Sequence, residues 1–117
     1  MRLIVFAWAL LTTAASALAA TPQEQAAIER VHAWARSRLQ NPDQVITHER
    51  TARIGRDGIA RVRIVWTPTG RFGERLRTQE RCYELLPNGT IRDLMHDRLM
   101  ENIGRGEGWR DTRGGCD

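Results

Sequence analysis

The stretch that decides the fold is VITHERTARIGRDGIARVRIVW, Val45 to Trp66. Two runs of period two flank Gly55-Arg56-Asp57-Gly58, which reads as a hairpin. In the second run Val62, Ile64 and Trp66 point one way and Arg61 and Arg63 the other. A two-residue turn would set Ile54 and Ala52 on the arginine side. A three-residue loop ending at Gly58 aligns Ala52, Ile54, Val62, Ile64 and Trp66 on one face, with Gly58 left-handed. The apolar register selects the three-residue loop. It also sends His48 and Arg50 to the apolar side, near Trp66.

Working outward, Thr21-Pro22-Gln23-Glu24 is a helix start: Thr21 caps, Pro22 opens the first turn and Glu24 closes a capping box. Ile28, Val31, Ala35 and Leu39 recur at helical spacing with Trp34 beside them, predicting an amphipathic helix of about five turns. Asn41-Pro42 stops it. Thr67 to Gly73 is a loop marked by Pro68, Gly70 and Gly73. A third strand is expected from Glu74 to Leu86. Asn88-Gly89 signals a tight turn, and a fourth strand follows from Thr90 to Met95. A two-residue Asn-Gly turn pairs Leu86 with Ile91 and Cys82 with Met95. His96 to Ile103 reads as a short helix turning Leu99, Met100 and Ile103 inward. The expected fold class is α+β: an N-terminal amphipathic helix on a four-stranded antiparallel sheet, a short C-terminal helix and a disulfide-tied tail.

The chain has 117 residues and two cysteines. Residues 1–20 read as a cleaved secretory signal: Arg2, an apolar run from Leu3, and small residues at Ala17 and Ala19, with cleavage near Ala19 or Ala20. An uncleaved anchor is the rival reading. The apolar run is too short for a spanning helix, and the mature chain carries no other. Residues 21–103 form one domain and residues 104–117 a Gly-rich tail. An exported chain with an even cysteine count pairs Cys82 with Cys116. The bond closes a loop of about 35 residues, stabilising by roughly 3–4 kcal/mol in the chain-entropy account. Two free thiols are the alternative. The tail itself holds too little apolar surface to order alone. The expected location is periplasmic or secreted.

The formal net charge is +4, all of its Lys+Arg count being arginine. Arginine suits carboxylate and phosphate, yet the Ala- and Gly-rich composition makes the bias compositional. Arg61, Arg63, Arg75, Arg77 and Arg81 converge on the expected outer sheet face, a candidate site for an anionic polymer or lipid headgroups. Interleaved carboxylates such as Glu49 and Glu74 would make it an ordinary solvated face. Aromatic interleaving is sparse and export is expected, so nucleic acid is not an expected partner.

On the inner face the register sets Glu80 and Glu84 with His48 and Arg50, giving a candidate groove of His48, Arg50, Trp66 and Glu80 for a small ligand or peptide. A strand bulge would instead return the two glutamates to solvent. The three histidines show no metal spacing, no nucleophile motif or phosphate loop appears, and no cofactor or metal is expected. The sequence therefore points to a non-enzymatic binding or accessory protein meeting an envelope protein or peptide. A binder of anionic polymer is the alternative, and a small hydrolase using His48 and Glu80 is a second.

Overall fold

A computed structural model describes residues 20–108 and 112–116. The expected signal segment, apart from Ala20, lies outside the described residues, as does Trp109. Among the described residues the first element is helix α1, Pro22–Arg36. Strands β1, Ile46–Ile54, β2, Ala60–Thr67, β3, Gln79–Leu85, and β4, Ile91–Asp93, form an antiparallel meander in the order β1-β2-β3-β4. Helix α2, Leu94–Gly104, grows directly from β4. A disulfide joins Cys82 to Cys116. The α+β class is thus established, with α1 laid across one face of the sheet.

The start of α1 is the expected capping box. Glu24 N–H donates to Thr21 Oγ1 at 3.1 Å, and Thr21 N–H to Glu24 Oε1 at 2.9 Å. The helix ends at Arg36, one turn earlier than its apolar stripe predicts. There the Ser37 hydroxyl donates to the Trp34 carbonyl at 2.6 Å, and Leu39 follows in a turn on Arg36. Ala27, Ile28, Val31 and Ala35 are buried against Ala60, Val62, Ile64, Trp66 and Tyr83. Trp66, Ile64 and Val31 lose all exposure to solvent.

The first hairpin has the expected loop. Gly55 N–H donates to the Ile59 carbonyl, Arg56-Asp57-Gly58 form the loop, and Gly58 has φ +78°. Ala52 pairs with Val62 and Ile54 with Ala60. Two corrections follow further along the sheet. First, the β1–β2 register shifts between Thr47 and Glu49, so His48 is the extra residue of a bulge. Thr47, not His48, stands opposite Trp66. Second, the other hairpin repeats the three-residue design. Leu86 N–H donates to the Thr90 carbonyl, Gly89 N–H to Leu86, and Gly89 has φ +90°. Leu85 therefore pairs with Ile91, and Tyr83 with Asp93. The one-residue slip from the two-residue expectation reverses the facing of every residue in β3. Tyr83 and Arg81 face α1. Glu80, Cys82 and Glu84 face away, opposite Val65, Arg63 and Arg61.

The expected inward turn of Met100 and Ile103 is also corrected. Both are about half exposed, and α2 buries Leu99 and Asn102. The tail is held by more than its disulfide. The Arg98 guanidinium donates to the Thr112 and Cys116 carbonyls at 3.5 and 3.4 Å. Gly114 and Gly115 both have positive φ. A Cβ on Gly114 would stand 1.6 Å from the Glu80 carbonyl oxygen, and one on Gly115 would stand 2.4 Å from Met95 N. Only glycine permits that approach. The tail seats beside Gln79–Cys82, the part of β3 that β4 leaves unpaired. No helix among the described residues is long and apolar enough to cross a membrane.

Candidate functional site

The five arginines of the expected anion face separate into two groups. Arg61 and Arg63 lie on the outer face, and each is held by carboxylates. Arg61 contacts Asp57 at 3.1 Å and Glu84 at 3.6 Å; Arg63 contacts Glu49 at 3.0 Å and Glu80 at 2.9 Å. The line continues from Glu84 to Arg92 at 3.4 Å and on to Asp97 at 2.8 Å. Opposite charges alternate along the face, as cross-strand pairing favours. The bond to Asp57 and that to Glu80 hold the Arg61 and Arg63 guanidinium groups above their ordinary pKa. Glu74, expected among these partners, instead accepts from Phe72 N–H. Arg75 is a loop residue whose backbone bridges to Thr69. Arg81 is on the opposite, helix-facing side, and Arg77 precedes β3.

The expected groove of His48, Arg50, Trp66 and Glu80 is assembled only in part: His48 and Arg50 line one open pocket with His32, Thr47 and Glu49, without Trp66 or Glu80. The bulge turns His48 outward, where its Nε2 lies 2.7 Å from Thr67 Oγ1, itself 2.7 Å from Thr78 Oγ1. Glu80 is engaged by Arg63, so the pairing that a His48–Glu80 hydrolase requires is not made. Arg50 stays on the helix side opposite Ile64, but on the exposed edge strand. The histidine beside Trp66 is His32 of α1. Its ring centroid is 5.9 Å from the Trp66 ring and its Nε2 is 2.9 Å from Thr47 Oγ1. Burial, then Arg50 and Arg36, push its pKa down.

The structure does form two neighbouring pockets that share Arg81. One, about 670 Å³, opens between β3, the start of α2 and the tail. Arg77, Arg81 and Arg113 line it with Gln79, Met95 and Thr112. Arg77 makes no ion pair or side-chain hydrogen bond among the described residues. The other, about 220 Å³, lies between the end of α1 and the sheet, with Trp34, Trp66 and Tyr83 as walls and Arg38, Arg81 and Asp93 as its charged groups. Arg81 Nη2 contacts Asp93 Oδ2 at 2.8 Å, while Asp93 Oδ1 caps α2 by accepting from Met95 and His96 N–H. Burial pushes the Tyr83 hydroxyl up to about 12.

Trp34, Arg38, Tyr83 and Asp93 were not among the sequence candidates. The signal for Tyr83 and Arg81 was present in Leu86-Pro87-Asn88-Gly89. Proline suits the first central position of a type I turn, which starts the loop at Pro87 and puts both residues on the face of Trp66. Among the described residues no cluster of three or more His, Cys, Asp or Glu is arranged to hold a metal. No protein-family model, curated protein or solved structure matches this chain.

Proposed function

We propose that this chain is a small exported binding or accessory protein without catalytic activity, and that it holds an acidic segment of an envelope protein or peptide in the larger pocket beside the tail. The observation that carries this reading is the contrast between its arginines. Arg61 and Arg63 are neutralised on the outer face and Arg81 is held by Asp93, whereas Arg77, on the wall of the larger pocket, makes no ion pair among the described residues. A guanidinium at an open pocket is suited to bidentate capture of a carboxylate. Export to the periplasm or beyond is supported by the sequence of residues 1–20 and agrees with the disulfide, since such bonds persist in oxidising compartments.

The test is site-specific photocrosslinking in intact cells from a reactive residue placed at Gln79, on the rim of the pocket. The expected result is an adduct with an envelope protein that weakens at high salt and disappears in the Arg77→Glu variant. Failure to form an adduct, or an adduct indifferent to Arg77→Glu, would overturn the reading. An Arg77-dependent, salt-sensitive retention on heparin without any protein adduct would favour the anionic-polymer alternative.

A further inference from the structure

The smaller pocket contains a mismatch that the peptide reading does not use. Trp66 is fully buried, and its indole N–H finds no hydrogen-bond acceptor among the described residues. Arg81 lines the same pocket, and its Nε–H is also buried without an acceptor. Buried donors are ordinarily paired, and two orphans on one small pocket require a common explanation. The single carboxylate there cannot serve them. Both oxygens of Asp93 are engaged, one by Arg81 Nη2 and the other by the first N–H groups of α2. The charge is mismatched as well. Two guanidinium groups, Arg38 and Arg81, line the pocket against one aspartate. Arg38 stacks over the Trp34 ring with its Cζ 4.0 Å from the centroid, and it forms no ion pair among the described residues.

The walls specify the rest of the ligand. Trp34 meets Tyr83 edge to face, with ring centroids 6.1 Å apart and planes at 80°, and Trp66 closes the inner side. Flat aromatic walls favour a flat apolar body. A volume of about 220 Å³ is below the roughly 300–1,000 Å³ of pockets for drug-sized ligands, which excludes a nucleotide or a folded peptide.

We propose that this pocket binds a small organic acid, its carboxylate accepting from Trp66 Nε1, Arg81 Nε and the Arg38 guanidinium and its flat apolar body resting against the wall that Trp34 and Tyr83 form together. The inference goes beyond the peptide reading and stands on different residues, Arg81 excepted. Benzoate titration requires neither an envelope partner nor Arg77, so the two readings fail separately.

The experiment is a titration of the oxidised mature protein with sodium benzoate at constant ionic strength, followed through the ¹H–¹⁵N indole resonances. Benzamide and inorganic phosphate are the controls. The expected result is a saturable downfield movement of the Trp66 indole resonance with benzoate, and a far smaller response to benzamide, which lacks the charge, and to phosphate, which lacks the apolar body. Arg38→Gln, an exposed change that leaves the core intact, is expected to weaken benzoate by about tenfold, the loss of one charge-assisted hydrogen bond. Arg81→Gln should weaken it further; because that change also frees Asp93, the Arg38 variant decides. A Trp66 resonance unmoved by benzoate would overturn the proposal, the donors then being served by solvent. Equal response to phosphate or benzamide would overturn it too.

Discussion

The two faces of this sheet are written by alternate residues of the same strand, yet they are held by different forces. Toward α1, Ala60, Val62, Ile64 and Trp66 are buried with Tyr83, Val31 and Ala35. Away from it, Arg61 and Arg63 stand among carboxylates whose side chains are mostly partly exposed. The inner face gains from removing apolar surface from water, at about 25 cal/mol per Å². The outer face gains from ion pairs that are each worth about 0.2–1 kcal/mol when solvated. Strand β4 leaves the edge of β3 from Gln79 to Cys82 unpaired. Here a disulfide and two close-packed glycines bring the tail to it instead. One face is stabilised by burial and the other by solvated ion pairs, and a covalent tether holds the tail along the edge of β3.

The largest test of that division is Trp66→Ala, with an expected loss of about 3–5 kcal/mol. That is a large share of the roughly 5–15 kcal/mol that hold a domain folded. Urea unfolding followed by circular dichroism measures it. A loss below about 1 kcal/mol would mean that the α1-covered face is not the core. The tether comes next. Replacing Cys82 and Cys116 together by alanine should cost about 3–4 kcal/mol through loop entropy. Amide exchange at Gly115 should accelerate at the same time, because the seat against Leu94 and Met95 loses its anchor. Unchanged exchange there would show that Arg98 and the glycine packing hold the tail without the bond.

How far the sequence could be read differs between the two hairpins, although their loops are alike. Gly55 to Ile59 and Leu86 to Thr90 each enclose three residues ending in a left-handed glycine. In each, an acidic or amide side chain accepts from the N–H two residues on: Asp57 from Ile59, Asn88 from Thr90. The first was legible because two long strands offered enough apolar residues to reject the other register. The second joins strands with only three paired positions, so its register is weakly specified by pattern and the Asn-Gly pair suggested a shorter turn. From that slip came the inward placing of Glu80 and Glu84 and the outward placing of Arg81. The bulge at His48 left no mark on the residues around it. The Gly-rich tail read as unable to order because composition counts apolar surface, whereas Gly114 and Gly115 pack through the absence of a side chain. The small pocket depends on how far α1 runs before Ser37 ends it and where it crosses the sheet. Both are set by contacts distant in sequence, so the orphaned donors of Trp66 and Arg81 have no local signature.

The smallest expected effect is the sharpest test of the outer face. Arg63 bridges Glu49 of β1 and Glu80 of β3 from the strand between them, so it is the best placed of these ion pairs to matter. Its side chain is 38% exposed, and its partners' are 51% and 44% exposed. At that exposure water screens most of the attraction, and three side chains must be fixed to gain it. Arg63→Ala also leaves two carboxylates near one another, a modest repulsion that grows as salt is removed. The two contributions together should cost less than about 1 kcal/mol at physiological ionic strength and less again at 1 M salt. Adding Glu80→Gln should recover part of the loss, since it removes the repulsion left behind. A cost near that of Trp66→Ala, persisting at high salt, would mean that the outer residues form a desolvated layer. The two faces would then be held by the same force after all.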